Sequence, residues 1–189
     1  NLHVTNKLGA ALDVSAASPW GLTGMGVDIS RVSIRSNNLG QRSRTMMNFF
    51  LEHRFYLLEK KVDITPGIAA NYFSDFGTHS FPGIDLGWQI STKLRLYVNT
   101  GRSFRIPTFT DLYYSDRTTL GNVDLKPEEA TSNEIGIRFS SPKVTASVAF
   151  FSRKAKNLID FVKDSNDDSI PFKAENIQQV NTSGIDLEL

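Results

Sequence analysis

Cysteine is absent from this 189-residue chain, which removes disulfides and thiolate metal sites from consideration at once. Histidine is scarce: His3, His53 and His79 stand far apart, and none has a partner at metal-ligand spacing. No block of one charge sign exists. Lys plus Arg number 21 against 20 Asp plus Glu, a net +1 without the basic run that tracks nucleic-acid phosphates, so no nucleic-acid partner is expected. The opening NLHVTNKLGA has neither the basic start nor the apolar core of a signal peptide, and no run approaches the roughly 20 apolar residues of a membrane helix. A spanning β-strand needs only about 9 to 11 residues of alternating character, so this absence leaves strand-built membrane proteins open. Neither a G-x-S-x-G nucleophile turn nor a G-x-x-x-x-G-K-[ST] phosphate loop occurs. With no matched acid, base and nucleophile, the chain reads as a non-enzyme without cofactor.

What the chain does have is alternation. Val62, Ile64, Pro66, Ile68, Ala70 and Tyr72 oppose Asp63, Thr65, Gly67, Ala69 and Asn71; Pro82, Ile84, Leu86, Trp88 and Ile90 oppose Gly83, Asp85, Gly87 and Gln89. A period of two marks β-strands with chemically distinct faces. The pattern predicts nine strands, at 3–16, 21–35, 43–58, 61–74, 80–91, 93–104, 132–141, 143–163 and 172–189. Ordinary strands run about 5 to 6 residues, so repeated runs of ten or more favour the wall of a large barrel over a sandwich. The fold class expected is all-β, an antiparallel up-and-down meander of long strands, which periodicity alone allows as part of a transmembrane β-barrel or as a soluble sheet. Val32 and Ile34 fall out of phase with Val27 and Ile29, which predicts a bulge near Ser30 to Val32.

Connections alternate too. Ser18–Gly21, Glu59–Lys61, Ser91–Lys93 and Ser141–Lys143 read as tight turns, whereas 36–42, 75–79, 105–131 and 164–171 read as longer loops. In a meander every second connection lies at the same end, giving the short-turn and long-loop ends of outer-membrane barrels. Trp88 and Phe55 fall near short turns and Tyr72 near the other end, where aromatic girdles would sit. A soluble sheet with one face in a core gives the same alternation, so a soluble binding or adhesive β-domain is the alternative. The two readings differ over Ile84, Leu86, Trp88 and Ile90: packed against a second sheet, or pointing outward around a polar interior.

Two stretches carry a resemblance. In YVNTGRSFRIPTFTDLYY (97–114), Phe104-Arg105-Ile106-Pro107 precedes Asp111-Leu112-Tyr113. In GNVDLKPEEATSNEIGIRF (121–139), Leu125-Lys126-Pro127-Glu128 precedes Glu134-Ile135-Gly136. With NTSGIDLEL at 181–189, these segments resemble the barrel region of TonB-dependent outer-membrane receptors, with Val123 where that family usually has Pro. The resemblance implies a bacterial outer-membrane location, contact with membrane lipid, and uptake of a bulky, scarce nutrient driven by the TonB complex through a plug domain. It further implies that residues 1–189 are a partial barrel domain, since such barrels have about 22 strands and neither plug nor closing strands are recognisable here. Taken alone, such a piece is expected to close into a smaller barrel or to pair its edges with another copy. VDITPGIAANYFSDFG and FPGIDLGW are most similar to corrinoid (vitamin B12) receptors, with siderophore receptors second.

The segment 105–131 is the candidate functional surface. Arg105, Tyr113, Tyr114, Asp116 and Arg117 combine stacking area, hydrogen-bonding groups and both charges, the mix that suits a polar, aromatic-lined ligand site. His53 is expected on an apolar face as an interfacial side chain, or at a local register change, and His79 in a loop. Asp167 and Asp168, in SNDDS, read as a solvated turn, with calcium an alternative carried by the resemblance.

Overall fold

The computed structural model describes residues 2–163 and 169–189. Its long strands are β1 (His3–Ser18), β2 (Gly21–Ser36), β3 (Gly40–Leu57), β4 (Val62–Phe73), β5 (Gly77–Ser91), β6 (Leu94–Arg105), β8 (Glu128–Ser140), β9 (Thr145–Val162) and β10 (Phe172–Glu188). Between β6 and β8 lie a short helix α1 (Phe109–Tyr113) and a two-residue strand β7 (Thr119–Leu120). The sheet runs β1-β2-β3-β4-β5-β6-β8-β9-β10, each long pair antiparallel, with β7 added in parallel outside β10. It does not close. Among the described residues β1 pairs only with β2, so the wall stays open in place of the smaller barrel that was one expectation.

Cross-strand partners share a face, and the registers sort the side chains. Ala10, Ile29, Met47, Tyr72 and Thr78 form one row; Leu12, Val27, Phe49 and Ala70 the next; Val14, Met25, Leu51, Ile68 and Pro82 the one after. All of these lie on the convex face. Ile84, Leu86, Trp88 and Ile90 belong to it as well, at 37%, 39%, 50% and 45% exposure, with no second sheet against them among the described residues. That outcome favours the barrel wall over the soluble sandwich. On β4 the apolar column runs ten residue steps, from Val62 to Tyr72. At about 3.4 Å per step and a tilt near 40°, the column is about 26 Å tall, the height of an outer-membrane apolar band.

The concave face carries the charged and amide side chains, with Phe50, Phe81 and Phe151 among them. Asp63 on β4 and Arg95 on β6 meet across β5, with Arg95 Nη2 donating to Asp63 Oδ1 and Oδ2 at 3.0 and 2.7 Å. The strand between them offers Gly87, where a Cβ would collide with the guanidinium at 1.8 Å. Tyr97 lies in the same way over Gly136, whose missing Cβ would stand 2.4 Å from the ring. These glycines let large lumenal side chains lie flat along a strongly curved wall. A concave cavity of about 680 Å³ results, lined in part by Glu52, Thr65, Asp85, Glu134, Arg153 and Thr182.

Several expectations change. No bulge occurs near Ser30: β2 keeps its register to β1 and β3 from Gly21 to Ser36. Val32 and Ile34 turn inward because β2 has risen past the apolar band, where Arg31, Ser33 and Arg35 occupy the convex positions. A register shift does occur on β5, between Gln89 and Ser91. The connections at 36–42 and 75–79 shrink to residues 37–39 and 74–76, since Gly40 (φ +73°) and Gly77 (φ +74°) supply the left-handed position that lets a strand restart immediately. His79 therefore sits in β5, its Nε2 2.9 Å from the Phe76 carbonyl oxygen and its ring centroid 4.1 Å from that of Phe104. His53 keeps its convex place without a register change. Its Nδ1 lies 2.7 Å from Thr23 Oγ1, and the ladder merely skips Pro66, which has no N–H to give. Asp167 and Asp168 lie outside the described residues.

Candidate functional site

The connection 106–127 is the longest in the chain and folds across the rim. Thr108 caps α1: Asp111 N donates to Thr108 Oγ1 at 3.1 Å, and Thr108 N donates to Asp111 Oδ2 at 2.8 Å, a reciprocal capping box. The helix presents Leu112 to Leu125 and Ala174, a small buried cluster joined by Phe76, Tyr113, Ile159 and Phe161. The loop thus has a core of its own, built from both arms of the wall.

Arg44 anchors its start. This β3 side chain is buried on the concave side, at 7% exposure, and its Nε donates to Asp75 Oδ1 and Oδ2 at 2.9 and 2.8 Å. Its Nη2 donates to the Pro107 carbonyl oxygen at 3.0 Å, and its guanidinium lies 4.8 Å from the Phe109 ring centroid and 5.4 Å from that of Phe76. Neither Arg44 nor Asp75 stands out in the sequence; the only signal is an arginine at an inward position of β3. Two amide side chains finish the attachment. Asn38, in the β2–β3 turn, donates to the Ser115 carbonyl oxygen and accepts from Ser115 N at 2.7 and 3.2 Å. Asn176, on β10, does the same for Lys126 at 2.9 and 2.8 Å. Each imitates a β-ladder pair, so the loop is strapped between the two arms.

Arg105 holds the base of the loop. It forks onto Glu128, with Nε donating to Oε2 at 2.8 Å, and its Nη1 reaches Asp111 Oδ2 at 3.3 Å. Glu128 Oε1 also accepts from Ile159 N at 2.9 Å. The Arg105 hydrogen bond, with the Ile159 N–H behind it, holds the Glu128 carboxyl below the ordinary range, and Glu128 in turn raises the Arg105 guanidinium. Strand β8 begins at Glu128, so residues 128–131 belong to the wall and not to the loop.

The remaining candidates separate by environment. Tyr113 is half-buried, stacked under Arg42 at 3.9 Å and packed on the Leu112 cluster. Asp116 shapes a turn: Oδ1 accepts from Thr118 N and Thr119 N, both at 2.8 Å, and Oδ2 accepts from the Tyr114 hydroxyl at 2.9 Å. Those bonds, the Thr118 N–H foremost and the Tyr114 hydroxyl next, lower the Asp116 carboxyl from its usual range. Arg117 is exposed at the turn's tip and makes no ion pair with any described residue. The structure brings Tyr113 to Arg117 into one outward-facing turn and leaves Arg105 below it.

The family model described as TonB dependent receptor-like, beta-barrel, matches residues 2–189. A vitamin B12 transporter, BtuB of Vibrio vulnificus, is 31% identical over 115 residues, covering 61% of this chain and 18% of the transporter. Among solved structures, the siderophore receptor PirA from Pseudomonas aeruginosa superposes with a TM-score of 0.82 at 17% identity, over 97% of this chain and 36% of that one. A variant of the ferric enterobactin receptor PfeA from the same organism, bound to enterobactin, gives 0.84 at 16% identity, over 98% and 33%. The matched region is a minor part of each relative's length.

Proposed function

The chain belongs to the TonB-dependent receptor β-barrel family, and on that premise we propose that it forms part of the wall and rim of an uptake receptor for a bulky, scarce nutrient of the corrinoid class. It is a segment of a bacterial outer-membrane barrel. The observation that carries the transport reading is the division of faces: an apolar convex belt about 26 Å tall backing a concave face of paired charges and amides. Such a wall shields a polar solute from lipid while breaking no bond. The corrinoid class is favoured because the relative at 31% identity is a vitamin B12 transporter. The siderophore receptors share the fold at 16–17% identity, which supports the architecture alone, so an iron siderophore is the second reading.

In this proposal the tip turn contacts the nutrient. Tyr114 and Arg117 offer a ring, a hydroxyl and a cation outward, and Tyr113 backs them. Asp116 sets the turn, and Arg105 holds its base. The rest of the barrel and a plug come from other parts of the same protein, and TonB is engaged through that plug. Residues 1–189 then form a partial barrel domain.

The test is equilibrium binding to the full-length receptor, followed by tryptophan fluorescence, with cyanocobalamin and ferric enterobactin as separate titrants. Saturable binding of cyanocobalamin alone, weakened about tenfold in the pair Tyr114→Ala and Arg117→Ala, is expected for a polar aromatic contact. Binding of ferric enterobactin alone would replace the corrinoid reading with the siderophore one, and binding of neither would remove both.

A further inference from the structure

We propose that the seam between β5 and β6, above Gly83 and Gly101, takes up an extended acidic peptide as an added β-strand. Pairing of β5 with β6 runs from Ser91 and Leu94 up to Gly83 and Gly101 and stops there, although β5 extends to Gly77 and β6 to Arg105. Each strand stays paired on its other side, residues 77–82 with β4 and residues 102–105 with β8. The first residue of β5 beyond the stop is Pro82, which has no N–H to offer a ladder. Two strand edges therefore face each other with no ladder between them among the described residues. Unpaired backbone edges are templates for a further strand.

A cavity of about 360 Å³ occupies the seam, and its two sides differ. On the inner side stand His79 and Phe81 of β5. The Phe104 ring turns across the gap to them, its centroid 4.1 Å from that of His79 and 5.4 Å from that of Phe81. On the outer side Arg102 shares a row with Thr131 and Lys154, and Lys156 stands opposite Glu129 in the row above. Arg102, Lys154 and Lys156 are exposed, and none of them makes an ion pair with a described residue. Three cations against the single acid Glu129 leave this side positive.

The period of two in an extended chain dictates the ligand. Side chains of one parity point outward to the cations and suit acids, and those of the other point inward to the rings and suit apolar groups. A lipid phosphate or a free anion would satisfy the cations and leave both edges unpaired. An acidic peptide uses both features, because its own N–H and C=O groups complete the ladders that stop at Gly83 and Gly101. This inference is independent of which nutrient the receptor takes.

The experiment is fluorescence anisotropy with the full-length receptor in detergent. The probe is a dye-labelled peptide of alternating Asp and Val, as long as the free edge 77–82, and the controls are its Lys–Val counterpart and the Asp–Val peptide N-methylated on alternate amides. The wild type should bind the Asp–Val peptide saturably and the Lys–Val peptide far more weakly. The double variant Arg102→Gln, Lys154→Gln should bind the Asp–Val peptide about tenfold more weakly, as expected for losing two exposed charge contacts. N-methylation keeps the charge and removes donors along one edge, and should also cost about tenfold or more. Absence of Asp–Val binding, equal affinity of wild type and variant, or equal affinity for the methylated and unmethylated peptides overturns the proposal. Displacement of the probe by anionic phospholipid as readily as by unlabelled peptide assigns the cations to lipid and overturns it as well. Heat-modifiable migration on gels shows that the variant barrel is folded. Nutrient binding should be unchanged in the variant, because neither residue belongs to the tip turn, so failure of the nutrient reading leaves this outcome readable.

Discussion

Replacing Arg44 by Ala should free the rim loop while leaving the wall intact. The side chain makes charge-assisted bonds to Asp75 and one bond to the Pro107 carbonyl oxygen, and its guanidinium faces two aromatic rings. Hydrogen bonds to charged groups contribute about 1.5 to 3 kcal/mol, and each cation–π contact contributes about 0.5 to 1 kcal/mol. Asp75 is partly exposed, at 30% for its side chain, so water recovers some of its loss when the partner goes. A net local cost of about 3 kcal/mol, roughly a hundredfold in the opening equilibrium, follows for the loop alone. Amide hydrogen exchange reads this directly. Leu112 N, Tyr114 N, Gly121 N and Asn122 N are hydrogen-bonded within the loop and should exchange about a hundredfold faster in the variant. Amides of β3 and β4 below the belt should keep their protection. Arg44→Lys should fall between, because an ammonium cannot span both carboxylate oxygens and the carbonyl. Unchanged loop amides, or equal acceleration in the strands, would refute the assignment of Arg44 as a local anchor.

Acid should loosen the loop at its other end. The folded Glu128 carboxyl is lowered relative to an unfolded one near 4.3, so its contribution is complete above that value and is lost as pH falls through the lower folded value. Protease nicking between Ile106 and Pro127 should therefore stay flat from neutral pH to about 5 and rise only in more acidic buffer, a window that Glu128→Gln should abolish. At the concave face, Gly136→Ala should cost stability by driving Tyr97 from its place, and Tyr97→Ala should recover most of that loss, with a coupling of at least about 1 kcal/mol in a double-mutant cycle of urea unfolding. On the convex face, Ile68→Arg near the middle of the belt should destabilise the folded barrel in lipid by about 2 to 4 kcal/mol, whereas Ser15→Arg, exposed on the concave side opposite Gly24, should cost far less. Equal costs would mean that the faces have been assigned the wrong way round.

Strand positions were legible because alternation is a local property. Val62 to Tyr72 and Pro82 to Ile90 show their faces without any partner in view. The same signal misled at β2, where Arg31 and Ser33 look like a phase slip and are in fact a change of solvent along an unbroken strand. Composition cannot distinguish those cases; only the neighbours of Ile29 and Arg31 can. Residues 36–42 and 75–79 read as longer loops, but Gly40 and Gly77 each close a three-residue turn from a left-handed φ that sequence periodicity does not display. At the candidate site, the aromatic and charged residues of 113–117 were visible as types, but their division of labour was not. Asp116 is consumed by its own turn, and Arg105 by Glu128, through contacts a linear reading does not contain. Arg44, Asp75, Asn38 and Asn176 were invisible for the same reason, being ordinary polar residues until distant backbone meets them.

The strap between Asn38 and Asn176 has a mechanical consequence. A curved wall with glycines along its inner surface bends like an arch, and a loop fastened at both haunches acts as its bowstring. In a closed barrel the hydrogen-bonded strands set the diameter, so the string does not hold the arch open or shut. It ties the β2–β3 turn to β10 across the mouth, so that loosening the 106–127 segment at one fastening is felt at the other.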